Sequence, residues 1–164
     1  MPTRSPQIIQ IRQEDLTLKY RWDAVLAVRE AVKAGVLKEG TPLEIRIETL
    51  KALGNKIIEV YSRGRQTPIL NFTLEIVTDP GARGFSGGAY SREGRHIMLD
   101  KPSLVSFLHE LAHHIQYQRD GHTSETYARR WSLGLFKRAM PRLFAEAVAA
   151  RRLYFVEPIP QVAG

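Results

Sequence analysis

The spacing of apolar residues divides the first half of the chain into predicted helices and a strand. From about residue 13 to residue 34, apolar side chains recur at the three- and four-residue intervals of an amphipathic helix. Residues 41–62 fit either an alternating strand or a helix interrupted at Gly54, and we favour the helix. The run Ile69–Thr78 is rich in β-forming residues and predicts a strand that ends at the turn signal Asp79-Pro80-Gly81.

The next segment predicts the rest of a small sheet. Residues 81–90 are rich in glycine, residues 91–94 form a second turn, and His96–Leu99 forms a short strand. We therefore expect a small β-meander. Because the glycine-rich stretch comes just before a helix with candidate chemistry, it is a candidate edge strand to which an extended peptide can add.

Helices are predicted for the remainder of the chain. They span about residues 102–120, 123–137 and 141–157. Asp100 or Ser103 can cap the first of them, and its core stripe consists of Leu104, Leu108, Leu111 and Ile115. N-terminal helices, a meander and C-terminal helices together indicate an α+β fold. We expect a single domain over residues 1–164, with a catalytic core at about 68–140.

The first of these helices contains His109-Glu110-Leu111-Ala112-His113, a His-Glu-x-x-His motif. At this spacing the two histidines lie roughly 40° apart around the helix axis, so both imidazoles can bind one metal ion. Glu110 lies beside them and can act as general base on a zinc-bound water. The motif therefore predicts a zinc-dependent metallopeptidase that hydrolyses peptide bonds, with Zn²⁺ held by His109 and His113.

A third zinc ligand must come from another part of the chain, because catalytic zinc keeps three protein ligands and an open position. Cysteine is absent, so the ligand is a histidine or a carboxylate. Two residues follow the turn at Asp120-Gly121 and can supply it, His122 and Glu125. Glu125 begins the next helix, where it can instead simply favour the helix dipole.

Other residues near the motif are not predicted to bind the metal. His114 lies about 100° around the helix from His113 and should point away from the metal, in a structural or surface role. We assign His96, on the preceding strand, no catalytic role. A donor is needed to stabilise the oxyanion. The candidates are Tyr127, Tyr117 and Arg119.

Composition indicates an ordinary globular protein of the cytoplasm. The chain has 164 residues, of which 43% are hydrophobic and 25% charged. No apolar run is long enough for a membrane span, and the N-terminus lacks the apolar core of a signal peptide. We therefore expect a cytoplasmic protein with a protein or peptide substrate and no membrane partner. The oligomeric state is not indicated.

The distribution of charge adds a second hypothesis. The net charge is +7, and residues 126–155 contain seven basic residues against one acidic residue. These basic residues are Arg129, Arg130, Lys137, Arg138, Arg142, Arg151 and Arg152. A basic helical surface can bind phosphates, so the alternative is a nucleic-acid-associated protein with a structural or inactive zinc site. A solvated helix face, or a helical interaction domain with a coincidental motif, explains the same residues without either function.

The residues around the motif resemble SprT-like zinc metallopeptidases. The similarity lies in Phe107–His114, in the preceding strand Ile97-x-Leu99 and in the following Gly121-His122, within roughly residues 85–135. This resemblance implies a zincin-like fold, His122 as the third ligand and proteolysis of proteins bound to DNA. The chain departs from the family in its later aromatic residues, Tyr127 and Trp131, and in lacking a cysteine zinc ribbon.

A second resemblance favours Glu125 over His122 as the third ligand. Glu125-Thr126-Tyr127-Ala128 is similar to the third-ligand helix of gluzincin peptidases, including the ImmA/IrrE type, which implies Glu125 as the ligand. Arg129 stands where those peptidases usually have asparagine or aspartate. We expect His122 to be the third ligand, with Glu125 as the alternative.

Overall fold

The structure is a computed structural model that describes residues 9–11, 21–79, 84, 87–150 and 156–158. Over these residues the chain forms an α+β fold, as predicted, with five helices and five short strands. The helices are α1 (Trp22–Lys33), α2 (Leu43–Ser62), α3 (Leu104–Asp120), α4 (Glu125–Ala139) and α5 (Pro141–Ala149). The strands are β1 (Ile9–Ile11), β2 (Thr73–Ile76), β3 (Gly88–Ser91), β4 (His96–Leu99) and β5 (Val156–Pro158). None of the helices formed by the described residues is long and apolar enough to cross a bilayer.

The N-terminal helices follow the hydrophobic periodicity of the sequence. Helix α1 lies within the predicted span 13–34, whose first part, residues 13–20, lies outside the described residues. Helix α2 confirms the helical prediction for residues 41–62, but the predicted interruption at Gly54 is wrong. A Cβ atom there would lie 2.4 Å from Cζ of Phe72 and 2.7 Å from Cζ of Phe107. Glycine at this position therefore makes room for two aromatic rings between α2, α3 and the chain entering β2.

The main sheet has three strands in the order β2-β4-β3. Strand β2 pairs with β4 in parallel, and β3 pairs with β4 in antiparallel orientation. The predicted meander is therefore wrong, because β4 lies between two strands that precede it in the chain. Strand β2 is also shorter than predicted, since the backbone of Leu70 bonds to α3 instead of a strand. Its N–H donates to Gln118 Oε1 at 3.1 Å, and its carbonyl accepts from His114 Nε2 at 2.7 Å.

The end of the described chain differs from the prediction as well. Helix α5 stops at Ala149, whereas the helical prediction continued to residue 157. Strand β5 pairs in parallel with β1, so the last predicted helical residues instead have a backbone partner from the other end of the chain. Local periodicity carries no information about such a long-range pairing.

Helix α3 lies against the sheet and is the centre of the core. In β4, Ile97 and Leu99 point into the core and are fully buried, while His96 and Met98 alternate to the other face. Of the predicted stripe of α3, Leu108, Leu111 and Ile115 are fully buried and Leu104 is partly buried. Helix α4 packs along α3. The start of α4 lies beside the motif residues of α3.

Candidate metal centre

The turn between α3 and α4 is held by side chains of both helices. Helix α3 ends at Asp120 and is capped by Gly121, whose left-handed backbone (φ 79°) suits glycine and whose N–H donates to the Tyr117 carbonyl at 2.8 Å. Ser124 caps α4 by accepting from the N–H of Tyr127 at 3.1 Å. The N–H of Ser124 in turn donates to Oε1 of the buried Gln116 at 2.9 Å. These bonds fix the first turn of α4 beside the motif face of α3.

This arrangement brings Glu125 onto both motif histidines. Its Oε1 lies 3.0 Å from His109 Nε2, and its Oε2 lies 2.9 Å from His113 Nε2. The two imidazole rings are 5.0 Å apart between centroids and steeply inclined to one another. Two histidine nitrogens on adjacent helical turns thus converge on a single carboxylate from the next helix.

Burial and charge at this point shift the pKa values of His109 and Glu125. Burial lowers the pKa of His109, although the charge of Glu125 opposes that effect. Burial raises the pKa of Glu125, but the two histidines outweigh it and leave that pKa below its usual value. Burial thus shifts His109 towards its neutral imidazole, and the neighbouring histidines shift Glu125 towards its ionised carboxylate. Metal ligation needs neutral imidazole and ionised carboxylate.

Thr123 orients the second histidine of the motif. Its hydroxyl oxygen lies 2.5 Å from Nδ1 of His113, the ring nitrogen that does not face Glu125. A hydroxyl can donate or accept, so it supports either tautomer of the ring. With Nδ1 engaged, Nε2 is directed towards Glu125. A partner of this kind is typical of histidines that bind metals.

Glu110 lies on the sheet side of the same helix, next to β3. Its side chain is buried, with the residue 6% exposed. A Cβ atom at Gly88 would lie 2.9 Å from Glu110 Oε2 and 3.1 Å from its Cγ, so the strand backbone approaches this carboxylate closely. Burial, assisted by the charge of Glu125, raises the pKa of Glu110 to about 8. Within the described residues, nothing donates a hydrogen bond to it.

Potential ligand atoms of the whole motif lie close together. His109, Glu110 and His113 each offer one such atom within 4.8 Å of the others. His122 and Glu125 are both outside this group, although Glu125 bonds to the two histidines. His122 is exposed in the turn before α4, and no hydrogen bond or ring contact joins it to either motif histidine in the described part of the chain. The structure thus brings Glu125, and not His122, to the motif.

The remaining histidines lie elsewhere. His114 is fully buried, as its helical position away from His113 allows. Its Nε2–H donates to the Leu70 carbonyl, which leaves Nδ1 to accept from the hydroxyl of Tyr90 at 2.6 Å. His96 lies on the opposite face of the sheet, between Thr73 and Glu75.

None of the three predicted oxyanion donors is hydrogen-bonded to the motif or to Glu125 in the described residues. The ring of Tyr117 lies under the guanidinium of Arg92. Arg119 pairs with Asp120, and its Nη2 donates to the Tyr127 hydroxyl at 3.4 Å. The oxyanion role of these three residues stays a prediction.

Four residues contribute to the site that sequence reasoning did not assign to it individually, although one of them, Gly88, lies in the glycine-rich stretch predicted as an edge strand for a peptide. They are Gly88, Gln116, Thr123 and Arg129. The four-residue spacing from Glu125 could have indicated Arg129, since such pairs are neighbours on a helix. The other three act across a turn or between a strand and a helix, and no local pattern signals those contacts.

Two of the basic residues near the C-terminus contact other side chains of the fold. Arg129 lies beside Glu125, and the amine of Lys137 lies over the ring of Phe144. Arg151 and Arg152 lie outside the described residues. Nucleic-acid binding by this part of the chain stays a prediction.

Comparison with known proteins adds no family assignment. No protein-family model matches the chain, and no curated protein or solved structure matches it either. The resemblances of the motif to SprT-like peptidases and to gluzincins therefore stay predictions.

Proposed function

We propose that this protein is a zinc-dependent metallopeptidase with His109, His113 and Glu125 as its metal ligands. The observation that carries the proposal is the convergence of both histidine Nε2 atoms on the Glu125 carboxylate, at 3.0 and 2.9 Å. Two imidazoles and one carboxylate form a donor set found in catalytic zinc sites. The pKa of His109 is lowered by burial and that of Glu125 is lowered by the histidines, and both directions fit this role.

Glu125 is preferred to His122 on geometry. The carboxylate is held at the histidines by the capped first turn of α4 and by the bond between Ser124 and Gln116. His122 is exposed one residue after the left-handed Gly121, without a contact to the motif among the described residues. Ligation by Glu125 needs only small movements of side chains, because its oxygens already lie 3.0 and 2.9 Å from the two histidine nitrogens.

The chain's own residues supply the acid–base chemistry. A bound zinc ion would polarise the substrate carbonyl and acidify a water molecule. Glu110 takes a proton from the attacking water on its carboxylate and passes it to the leaving amine. Its pKa of about 8 without metal reflects burial. A cation beside it favours the ionised form, which is the form that accepts the proton.

A peptide is the substrate class that best suits the surroundings of Glu110. Strand β3 uses one edge to pair with β4, and its other edge has no strand partner among the described residues. Gly88 at the start of β3 lies directly against Glu110. An extended peptide that adds to this free edge would therefore lie with its backbone close to the general base.

Metal content and cleavage of labelled casein and of a labelled peptide library test the proposal. Glu110→Gln should retain zinc and lose cleavage, because it removes the proton acceptor and leaves the ligands in place. Glu125→Ala should lose zinc, whereas His122→Ala, the matched control, should keep it.

Each contrary result contradicts a different part of the proposal. A wild-type protein that takes up no zinc on reconstitution, or that cleaves neither probe when loaded, contradicts the peptidase proposal. Wild-type cleavage rates in Glu110→Gln contradict the assigned general base. Loss of zinc in His122→Ala but not in Glu125→Ala would make His122 the third ligand and leave the peptidase proposal standing.

A further inference from the structure

Arg129 lies at the rim of the proposed metal site. Helix α4 places it one turn after Glu125, with its Nε 4.0 Å from Glu125 Oε1. Through that carboxylate it is next to His109, whose Nε2 bonds to the same oxygen. The guanidinium thus brings a permanent positive charge to the position where the two motif histidines and Glu125 meet.

The hydrogen-bonding groups of Arg129 are not used by Glu125. Both carboxylate oxygens already bond to histidine nitrogens, and a separation of 4.0 Å is too long for a hydrogen bond. Its side chain is 41% exposed, and no other carboxylate pairs with it in the described part of the chain. A guanidinium has five N–H donors in a planar fork that matches a carboxylate. The fork is therefore open to a ligand from solvent.

We propose that Arg129 binds a carboxylate of the substrate beside the scissile bond and makes the enzyme selective for acidic peptides. This inference rests on the proposed peptidase function. Because Arg129 lies next to Glu125, a peptide bound at the proposed metal would come close to the guanidinium. A carboxylate there gains a charge-assisted bond that a neutral group cannot form, so Arg129 distinguishes acidic from neutral substrates.

The carboxylate has two sources, the C-terminus of a peptide and an acidic side chain. Four acetylated peptides of one length separate them: a C-terminal acid and its amide, and an internal glutamate and its glutamine counterpart with an amidated end. Binding of each is measured by calorimetry to the inactive Glu110→Gln protein, both zinc-loaded and metal-free. The same measurements are repeated in that background with Arg129→Gln, with Arg129→Lys and with the matched control Arg142→Gln on the exposed surface of α5.

We expect Arg129→Gln to weaken binding of one acidic peptide by about tenfold or more, as loss of a charge-assisted hydrogen bond implies, and to leave its neutral counterpart unchanged. Arg129→Lys should recover part of the loss, and Arg142→Gln should lose nothing. The affected pair identifies the source of the carboxylate. Equal weakening of acidic and neutral peptides, or no change for any of them, would overturn the inference.

The binding readout separates this inference from the proposed function. Cleavage of labelled casein and zinc content are measured on Arg129→Gln with Glu110 intact. Loss of discrimination between the acidic peptide and its neutral counterpart supports the selectivity of Arg129, and retained discrimination overturns it, whatever the substitution does to casein cleavage. Absence of zinc or cleavage in the wild type contradicts the peptidase instead, while calorimetry on the metal-free protein still decides the role of Arg129.

Discussion

Replacing Glu110 with glutamine should stabilise the metal-free protein, by an amount that grows with pH. Burial and the charge of Glu125 raise the pKa of Glu110 from 4.5 to about 8 in the folded protein. In the unfolded chain the carboxyl has its ordinary pKa. Between these two values the unfolded chain releases the proton and the folded protein keeps it, so the stability of the wild type falls as pH rises.

The magnitude follows from the difference between the two pKa values. At about 1.36 kcal/mol per pH unit, the wild type loses about 2 kcal/mol by pH 6 and about 5 kcal/mol by pH 9. These losses of stability are relative to a protein whose side chain at position 110 stays neutral at every pH. Glutamine is such a side chain and has nearly the same shape. Since no described residue donates a hydrogen bond to Glu110, the substitution breaks no bond there.

Urea unfolding of both proteins in a chelating buffer, from pH 5 to pH 9, measures the effect. The stability advantage of Glu110→Gln should rise steadily to about pH 8 and then level off. Glu93→Gln is the matched control, because Glu93 is exposed in the turn between β3 and β4. It should follow the wild type at every pH. An advantage of Glu110→Gln that is the same at pH 5 and pH 9 would refute the reasoning.

Two further predictions concern residues that support the site. Gly88→Ala should lower casein cleavage by at least about tenfold while zinc is retained, because its Cβ would lie 2.9 Å from Glu110 Oε2 and displace the general base. Gly94→Ala, whose Cβ meets only an ordinary 3.7 Å contact, should leave cleavage unchanged, and equal losses in both would argue against the steric cause. Thr123→Val should weaken zinc binding by about 10- to 100-fold in a chelator competition, since His113 loses its partner at Nδ1. Thr123→Ser should restore the affinity, and unchanged affinity in Thr123→Val would rule out this support.

Elements with long, regular patterns were predictable from the sequence. Helices α1 and α3 carry apolar residues at helical spacing, and α3 has recognisable stop signals at Asp120-Gly121. The residues of α2 also fitted an alternating strand, and the helix was only the favoured of the two. The prediction failed where a partner distant in sequence decides the conformation. The backbone of Leu70 leaves the strand because His114 and Gln118 bond to it. Likewise, β4 takes the central position in the sheet through pairing on both sides.

The sequence by itself determined the motif and its geometry within one helix, because four-residue spacing places His109 and His113 on the same face whatever surrounds them. It also left His122 and Glu125 as candidates for a third ligand. Only the tertiary structure shows which of the two lies at the histidines: Glu125 bonds to both of them. The bond from Ser124 to Gln116 and the contact of Thr123 with His113 hold the chain across this turn. The environment of Glu110 likewise depends on β3, which reaches it from a separate element of the fold. Contacts between elements have no periodicity along the chain, so a local pattern cannot specify them.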